Sequence, residues 1–115
     1  MSRTPDEVIS LYEKCSTSLQ REELGRRLEP IQWYVEVSDV MEVPSETSYV
    51  FVLEAKVRVP ERQLAEVKMK AYLRGSDLRV RLLTLNRGQQ VQVHGPISYS
   101  ESEHCFTMGR ASLLA

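Results

Sequence analysis

The stretch NRGQQVQVHGPISYS, residues 86 to 100, contains a β-strand pattern that is interrupted once and then resumes. A turn signal at its start leads into the alternating residues Val91 and Val93. The dipeptide Gly95-Pro96 then breaks the run, and the alternation continues at Ile97. Glycine allows a strand to bend sharply, and proline lacks the N–H donor that a central ladder requires. The pattern therefore predicts a strand that bends within a small, closed β-barrel.

The composition of the chain is that of one ordinary globular domain. Of its 115 residues, 42% are hydrophobic and 27% are charged, the net charge is −1, and the two cysteines are far apart in the sequence. These values predict no disulfide framework, and the near-zero net charge gives no global attraction to nucleic acid or acidic lipid. No apolar run approaches the roughly 20 residues that a membrane helix needs, and residues 1–10 have no apolar signal-peptide core. We therefore expect a cytoplasmic protein without a membrane partner.

Residues 1–29 are predicted to form a helical segment. Thr4 can cap the free N–H groups at a helix start, Pro5 suits the first helical position, and Glu7 completes a capping box. The cluster around Thr17 is expected to end or interrupt this helix, and a second helical piece follows until Pro30 stops it.

Residues 30–115 change to the two-residue period of β-strands. Three inward faces are read from this alternation: Ile31, Trp33, Val35 and Val37; then Tyr49, Phe51, Leu53, Ala55 and Val57; then Val67, Met69, Ala71 and Leu73. The opening stretch is a fourth strand, and HCFTMGRASLL, residues 104–114, is a fifth. The segment LRVRLLTL, residues 78–85, fits either a strand or a short helix. We favour the helix because Asp77 can cap its start and Gly88 lies just beyond its end.

Five strands with one helix between the third and the fourth are the element order of an OB-fold barrel. The sequence also resembles the bacterial tRNA_anti-like proteins, which are related to tRNA-anticodon-binding domains. The resemblance rests on TSLQREELGRRLEP, on IQWYVEVSDV with its Trp33, and on LTLNRGQQVQVHGPI. The chain differs from that family before Trp33, where Pro30-Ile31-Gln32 replaces the usual Gly-Lys. The resemblance implies an OB-fold module and leaves its ligand open.

No pattern in the sequence indicates an enzyme, a metal site or a cofactor site. There is no Gly-rich phosphate loop, no metal-ligand spacing and no nucleophile elbow. His104 and Cys105 are adjacent, but neighbouring residues of a strand point to opposite faces and cannot form a dyad. We therefore expect a non-enzymatic binding module.

The third strand gives the strongest indication of a ligand. Its predicted outer face carries three cations and one aromatic ring, and the neighbouring strands add two cations and a second ring. The resulting candidate nucleic-acid-binding residues are Tyr34, Lys56, Arg58, Lys68, Lys70, Tyr72 and Arg74. Cations can track phosphates and aromatic rings can stack on bases. Residues 66–90 hold six basic and two acidic residues, a local net charge of +4.

Two alternatives to nucleic-acid binding remain. The charged face can be an ordinary solvated surface that keeps the sheet soluble. The acidic loop SYSESE, with Glu101 and Glu103, would repel phosphate, which favours either a protein partner or nucleic-acid binding confined to the side of the third strand. The sequence thus predicts weak, sequence-independent binding of single-stranded DNA or RNA, with a protein-interaction or accessory module as the alternative.

Overall fold

The computed structural model describes residues 3–43, 50–60, 62 and 66–114. Over these residues the protein is mainly β, with three helices and one seven-stranded sheet. The elements are α1 (Pro5–Glu13), α2 (Ser18–Arg27), β1 (Ile31–Val43), β2 (Val50–Arg58), β3 (Glu66–Arg74), α3 (Leu78–Leu83), β4 (Gln90–Gly95), β5 (Ser98–Ser100), β6 (Cys105–Met108) and β7 (Ser112–Leu114). The expected inward position of Tyr49 lies outside the described residues. No helix in the described part of the chain is long and apolar enough to cross a membrane.

The first helix begins where its capping residue predicts, whereas the second begins at Ser18, three residues before the predicted second helical piece. Thr4 accepts a hydrogen bond from the backbone N–H of Glu7 at 3.2 Å, and the Glu7 carboxylate accepts one from the Thr4 N–H in return. Thr17 and Gln20 form a second capping box of the same kind at the start of α2. Each box satisfies N–H groups that a helix start leaves without an intrahelical partner.

Arg62, in the connection between β2 and β3, ties α1 to the sheet. Its guanidinium donates to Asp6 Oδ1 at 2.6 Å, to Ser10 Oγ at 2.8 Å and to Glu13 Oε1 at 3.0 Å. Burial disfavours its charge, but the hydrogen bonds to the two carboxylates outweigh this and raise the pKa of Arg62 above its ordinary value. Arg62 thus fixes α1 against the connection between β2 and β3.

The core forms from the alternating faces that the sequence predicts. The inward residues of β1, β2 and β3 are buried, and Trp33 is only 6% exposed. The Trp33 ring packs edge-on against Phe106, with 5.0 Å between centroids, and its Nε1–H donates to the Arg3 carbonyl at 2.7 Å. Edge-to-face packing and a satisfied indole N–H are what a buried tryptophan requires.

The expected five-stranded closed barrel is wrong in strand number and in closure. The strand order is β5-β6-β3-β2-β1-β4-β7, an open sheet in which β5 and β7 are the two ends. The fourth and fifth strands of the prediction are each divided in two. The reason for the first division is a change of partner, because β4 pairs with β1 and β7, whereas β5 pairs with β6.

Gly95 is required at this change of partner. A Cβ atom at Gly95 would collide with the backbone carbonyl oxygen of Arg110, in the segment that divides β6 from β7. Its φ of +157° also lies in a region that L side chains rarely adopt. The interruption at Gly95-Pro96 therefore reflects a close backbone approach between the two divided strands.

The helix between β3 and β4 is present as α3, but its expected cap is absent. Asp77 has helical backbone angles, with φ −85° and ψ −10°, and its side chain makes no capping hydrogen bond. The buried side chain of Leu82 instead anchors the helix to the core. Tertiary packing thus places α3 where local capping chemistry does not.

Candidate functional site

All seven candidate residues lie on the outer face of β1, β2 and β3, as the alternation predicts. The five cations are exposed, and Tyr34 is 68% exposed, whereas Tyr72 is half-buried. The exposed cations are Lys56, Arg58, Lys68, Lys70 and Arg74. Their common face is an observation, and a nucleic-acid-binding role for them stays a prediction.

The strand register brings Lys56 and Lys68 together. They are direct partners across β2 and β3, and like charges in that position destabilise a sheet. Glu36 faces Lys56 from β1, and Glu66 forms an ion pair with Lys56 at 3.8 Å between Nζ and Oε2. Lys68 faces Cys105 on its other side, so no acid lies directly across from it on either neighbouring strand.

The other cations of this face are closer to balance. Lys70 lies across from Glu54, and Arg58 lies across from Glu66. Over the described outer face of the three strands, the cations Lys56, Arg58, Lys68, Lys70 and Arg74 meet the acids Glu36, Asp39, Glu54 and Glu66, a net charge of +1. The face is therefore far less basic than the sequence segment 66–90.

The remaining basic residues of that segment point elsewhere. Arg79 pairs with Glu42, Arg81 donates to the Leu113 carbonyl at 3.1 Å, and Arg87 donates to the Ser38 carbonyl at 3.0 Å. Their hydrogen bonds hold α3 and the following loop against the sheet. The net charge of +4 for residues 66–90 therefore includes basic residues that lie on different surfaces of the folded protein.

A cavity opens beside the outer face where β1 leaves β2. β1 pairs with β4 over Ile31–Glu36 and with β2 over Glu36–Val43, so the two pairings overlap by only about one residue. The gap holds a cavity of about 440 Å³, lined by Arg3, Thr4, Pro5, Gln32, Trp33, Tyr34, Glu36, Lys56, Val57, Arg58 and Gln90. Three candidate residues thus meet at one concave site.

Arg3 belongs to this cavity, and the sequence carries no local signal for it. The hydrogen bond from Trp33 to the Arg3 carbonyl holds the chain there. The Arg3 guanidinium lies 3.7 Å from Glu7, and both side chains are about half exposed. Only the path of the chain before α1 places this cation near Tyr34.

The other end of the outer face is apolar, which the sequence did not predict. Met41 lies across from Val52, and Val52 lies across from Tyr72. Val52 points outward by register and yet is only 6% exposed, and it does not belong to the main core cluster. We call the five residues Met41, Val43, Val50, Val52 and Tyr72 the outer apolar strip. Tyr72 packs within this strip and presents less of its ring than Tyr34 does.

The remaining sequence candidates assemble no catalytic group. The Cys105 thiol is buried, and burial raises its pKa. It contacts the Phe106 carbonyl at 3.2 Å, while His104 is exposed, with φ of +50°. Among the described residues no group of three or more His, Cys, Asp or Glu side chains is arranged to hold a metal ion.

The acidic loop after β5 is partly neutralised by a helix. Glu101 lies 3.9 Å from the guanidinium of Arg21 in α2. The loop therefore carries less free negative charge than its sequence indicates, although Glu103 is exposed.

Comparisons with protein-family models and with curated proteins find no match for this chain. The resemblance to the tRNA_anti-like proteins therefore stays a prediction. A function for this chain has to be inferred from the outer face of the sheet and the cavity beside Tyr34.

Proposed function

We propose that this protein binds single-stranded nucleic acid weakly and without sequence preference, through the cavity beside Tyr34. The observation that carries the proposal is the meeting of an exposed aromatic ring with the cations Lys56 and Arg58 in that cavity. A base can stack on the ring while the cations contact the adjacent phosphates. Arg3 supplies a further cation at the rim.

The position of Lys68 supports the same proposal. Its register partner is Lys56, whose charge Glu36 and Glu66 partly offset, whereas no acid lies directly across from Lys68, so an additional anion would reduce the repulsion between the two lysines. A phosphate lying between Lys56 and Lys68 provides such an anion. The bound strand is thus proposed to run from Tyr34 across β2 toward Lys68.

The element order supports an OB-like interpretation of the sheet, which is part of this proposal. β3 pairs in parallel with β6, and only two residues separate β4 from β5. Taking β4 with β5 and β6 with β7 as bent strands gives three antiparallel strands, a helix and two further strands. In OB-folds the face of strands two and three binds oligonucleotides. The tRNA_anti-like resemblance is consistent with this interpretation.

The test is a titration of fluorescent oligo(dT) and oligo(U) at low and physiological salt. Tyr34→Ala should weaken binding by about 1–3 kcal/mol without changing the salt dependence, because stacking releases no counterions. The double change Lys56→Gln with Lys68→Gln should weaken binding and lower the salt slope by roughly 0.7 per lost phosphate contact.

Arg26→Gln with Arg27→Gln provides the control for charge. Both arginines are exposed on α2, and the double change alters the net charge by the same amount. Equal losses from the two double variants would show that only net charge matters and would move the site elsewhere. No binding of either oligonucleotide by the unmodified protein at low salt rejects the proposal.

A protein-interaction module is the second candidate function. The observation that favours it is the outer apolar strip, together with the exposed side chains of Val80 and Leu83 on α3. Met41 and Val43 are exposed within this strip, and exposed apolar groups on a protein surface can mark protein contacts. Binding that is insensitive to salt and to Tyr34→Ala would favour this candidate.

A further inference from the structure

The second half of β1 is an open strand edge in the part of the chain that the structure describes. The pairing of β1 with β4 ends at Glu36. The loop between α3 and β4 covers the next two residues, because the Val37 backbone bonds to Gly88 and Gln89 and the Ser38 carbonyl accepts from Arg87 at 3.0 Å. Asp39–Val43 pairs with β2 alone. An open edge presents backbone groups that another strand can bind.

The backbone groups of Val40 and Glu42 face this open edge. The Val40 N–H donates to Oδ1 of Asp39 at 2.9 Å, which places it on the side away from β2. In an antiparallel ladder, residues two apart direct their N–H and C=O groups to the same side. Glu42 therefore presents its backbone in the same direction as Val40.

Exposed apolar side chains lie on the open half of β1 and on α3, which contacts it. Six large hydrophobic side chains are exposed in the described chain, and four of them are Met41, Val43, Val80 and Leu83. Val80 and Leu83 are three residues apart on α3 and so share one helix face. The ion pair between Arg79 and Glu42 fixes α3 against β1. Leu83 and Met41 line a common cavity of about 200 Å³.

We propose that this edge binds a second copy of the same chain, in an antiparallel pairing about a two-fold axis at Met41. The axis places Val40 opposite Glu42 of the second copy, and both residues present their N–H and C=O groups to the edge. Val40 and the Glu42 of the second copy can exchange two backbone hydrogen bonds. The two-fold axis repeats this pairing between Glu42 and the Val40 of the second copy, which gives four hydrogen bonds in all. The backbone directions thus match a two-fold axis at this residue.

The charges also fit a second copy. Asp39 faces Val43 of the second copy, and Glu42 faces Val40, so no two like charges are directly opposed. The Glu42 carboxylate is already bound to Arg79 within its own chain. The side chains of Met41 meet at the axis on the outer face. In each copy, the exposed Leu83 of α3 lies near Met41, at the proposed contact.

Asp39 controls access to this edge. Its carboxylate occupies the Val40 N–H in the single chain, and that hydrogen bond must be exchanged for one to the second copy. Removing the carboxylate should therefore strengthen self-association, whereas a charge on α3 should weaken it. The same geometry thus gives two variants with opposite expected signs.

Sedimentation velocity of the full chain over a range from about 1 µM to about 300 µM tests the proposal. The unmodified protein should show a reversible monomer–dimer equilibrium. Leu83→Asp should raise the dissociation constant at least about tenfold, as the loss of a central interface side chain does. Asp39→Ala should lower the dissociation constant. Leu19→Asp is the matched control, because Leu19 and Leu83 are both 75% exposed but Leu19 lies on α2.

Backbone hydrogen exchange locates the contact independently of any substitution. Protection of the Val40 and Glu42 amides should rise with protein concentration. A protein that stays monomeric at the highest concentration overturns the proposal, and so does a dimer that Leu83→Asp and Asp39→Ala leave unchanged. A monomer whose edge amides are protected only by a peptide from another protein also overturns it. The nucleic-acid titration tests a different surface and does not depend on this result.

Discussion

The two halves of β1 each pair with one strand, and they differ in what covers their other side. Over Ile31–Glu36 the partner is β4, and the open side receives the chain before α1, held by the hydrogen bond from Trp33 to Arg3. Over Asp39–Val43 the partner is β2, and no described residue forms a ladder with the open side. Burial changes accordingly, from strict alternation in the first half to mostly exposed residues in the second.

The difference separates two kinds of surface on one strand. The covered half is fixed by the core beneath it and presents Tyr34 beside a cavity, which suits a small rigid binding site. The open half presents unpaired backbone and apolar side chains, which suits pairing with another strand. The proposed nucleic-acid site and the proposed self-association site therefore lie on different parts of β1.

The largest expected effect is the loss of the core residue that fixes the covered half. Trp33→Ala should lower the free energy of unfolding by about 3–5 kcal/mol, because a buried indole, its contact with Phe106 and its hydrogen bond are lost together. Met41→Ala in the open half should cost less than about 1 kcal/mol at monomeric concentrations, since Met41 is 42% exposed. Urea denaturation of the two variants measures both values. Similar losses would contradict the distinction between the halves.

Much of the fold could be predicted from the sequence where one local rule decides the structure. Alternation identified the inner faces of β1, β2 and β3, and the capping residue Thr4 marks the start of α1. The division of the last two predicted strands could not be read in the same way. Which strand pairs with which depends on close approaches between distant segments, such as Gly95 and Arg110.

The sequence predicted which residues share the outer face better than it predicted the net charge of that face. Period-two alternation is sufficient to place Lys56, Lys68 and Tyr34 on one face, since the rule is local. The net charge of that face depends on which acids lie across from the cations, and this requires the strand register. The place of Arg3 depends on one long-range hydrogen bond to Trp33, for which no spacing in the sequence is diagnostic.

A smaller loss of stability is expected from a substitution at Gly95, where the covered half of β1 pairs with one of the divided strands. Gly95 lies across from Ile31, and a methyl group at Gly95 must displace the Arg110 backbone. Gly95→Ala should lower the free energy of unfolding by about 1–3 kcal/mol, the usual cost of forcing an extra group into a close backbone contact.

Gly109→Ala is the control for this change. A Cβ atom at Gly109 meets no atom within 4 Å, so the substitution should alter the free energy of unfolding by less than about 0.5 kcal/mol. Thermal or urea denaturation of the two glycine variants compares them directly. If Gly95→Ala is as well tolerated as Gly109→Ala, the close approach does not hold the two divided strands together.

The smallest expected change in the free energy of unfolding comes from removing single lysines of the charged face, and whether each change raises or lowers it is more informative than its size. Lys68 lies across from Lys56 and Cys105, whereas Lys70 lies across from Glu54. Removing one charge of a like-charged pair stabilises a sheet, and removing one charge of an opposite pair destabilises it, each by about 0.2–1 kcal/mol. At low salt, Lys68→Gln should therefore raise the free energy of unfolding and Lys70→Gln should lower it. Both differences should shrink as added salt screens these exposed groups.

The same two variants connect stability with the proposed ligand. If Lys68 is retained at a cost in stability because it contacts phosphate, Lys68→Gln should weaken oligonucleotide binding while it stabilises the free protein. Lys70, whose charge Glu54 already balances, should contribute less to binding. Urea denaturation and the fluorescence titration, performed on the same samples, give both quantities. A Lys68→Gln protein that is more stable and binds oligonucleotide as well as before would show that the lysine pair has no role in binding. The cavity at Tyr34 would then have to act without the cations of β3.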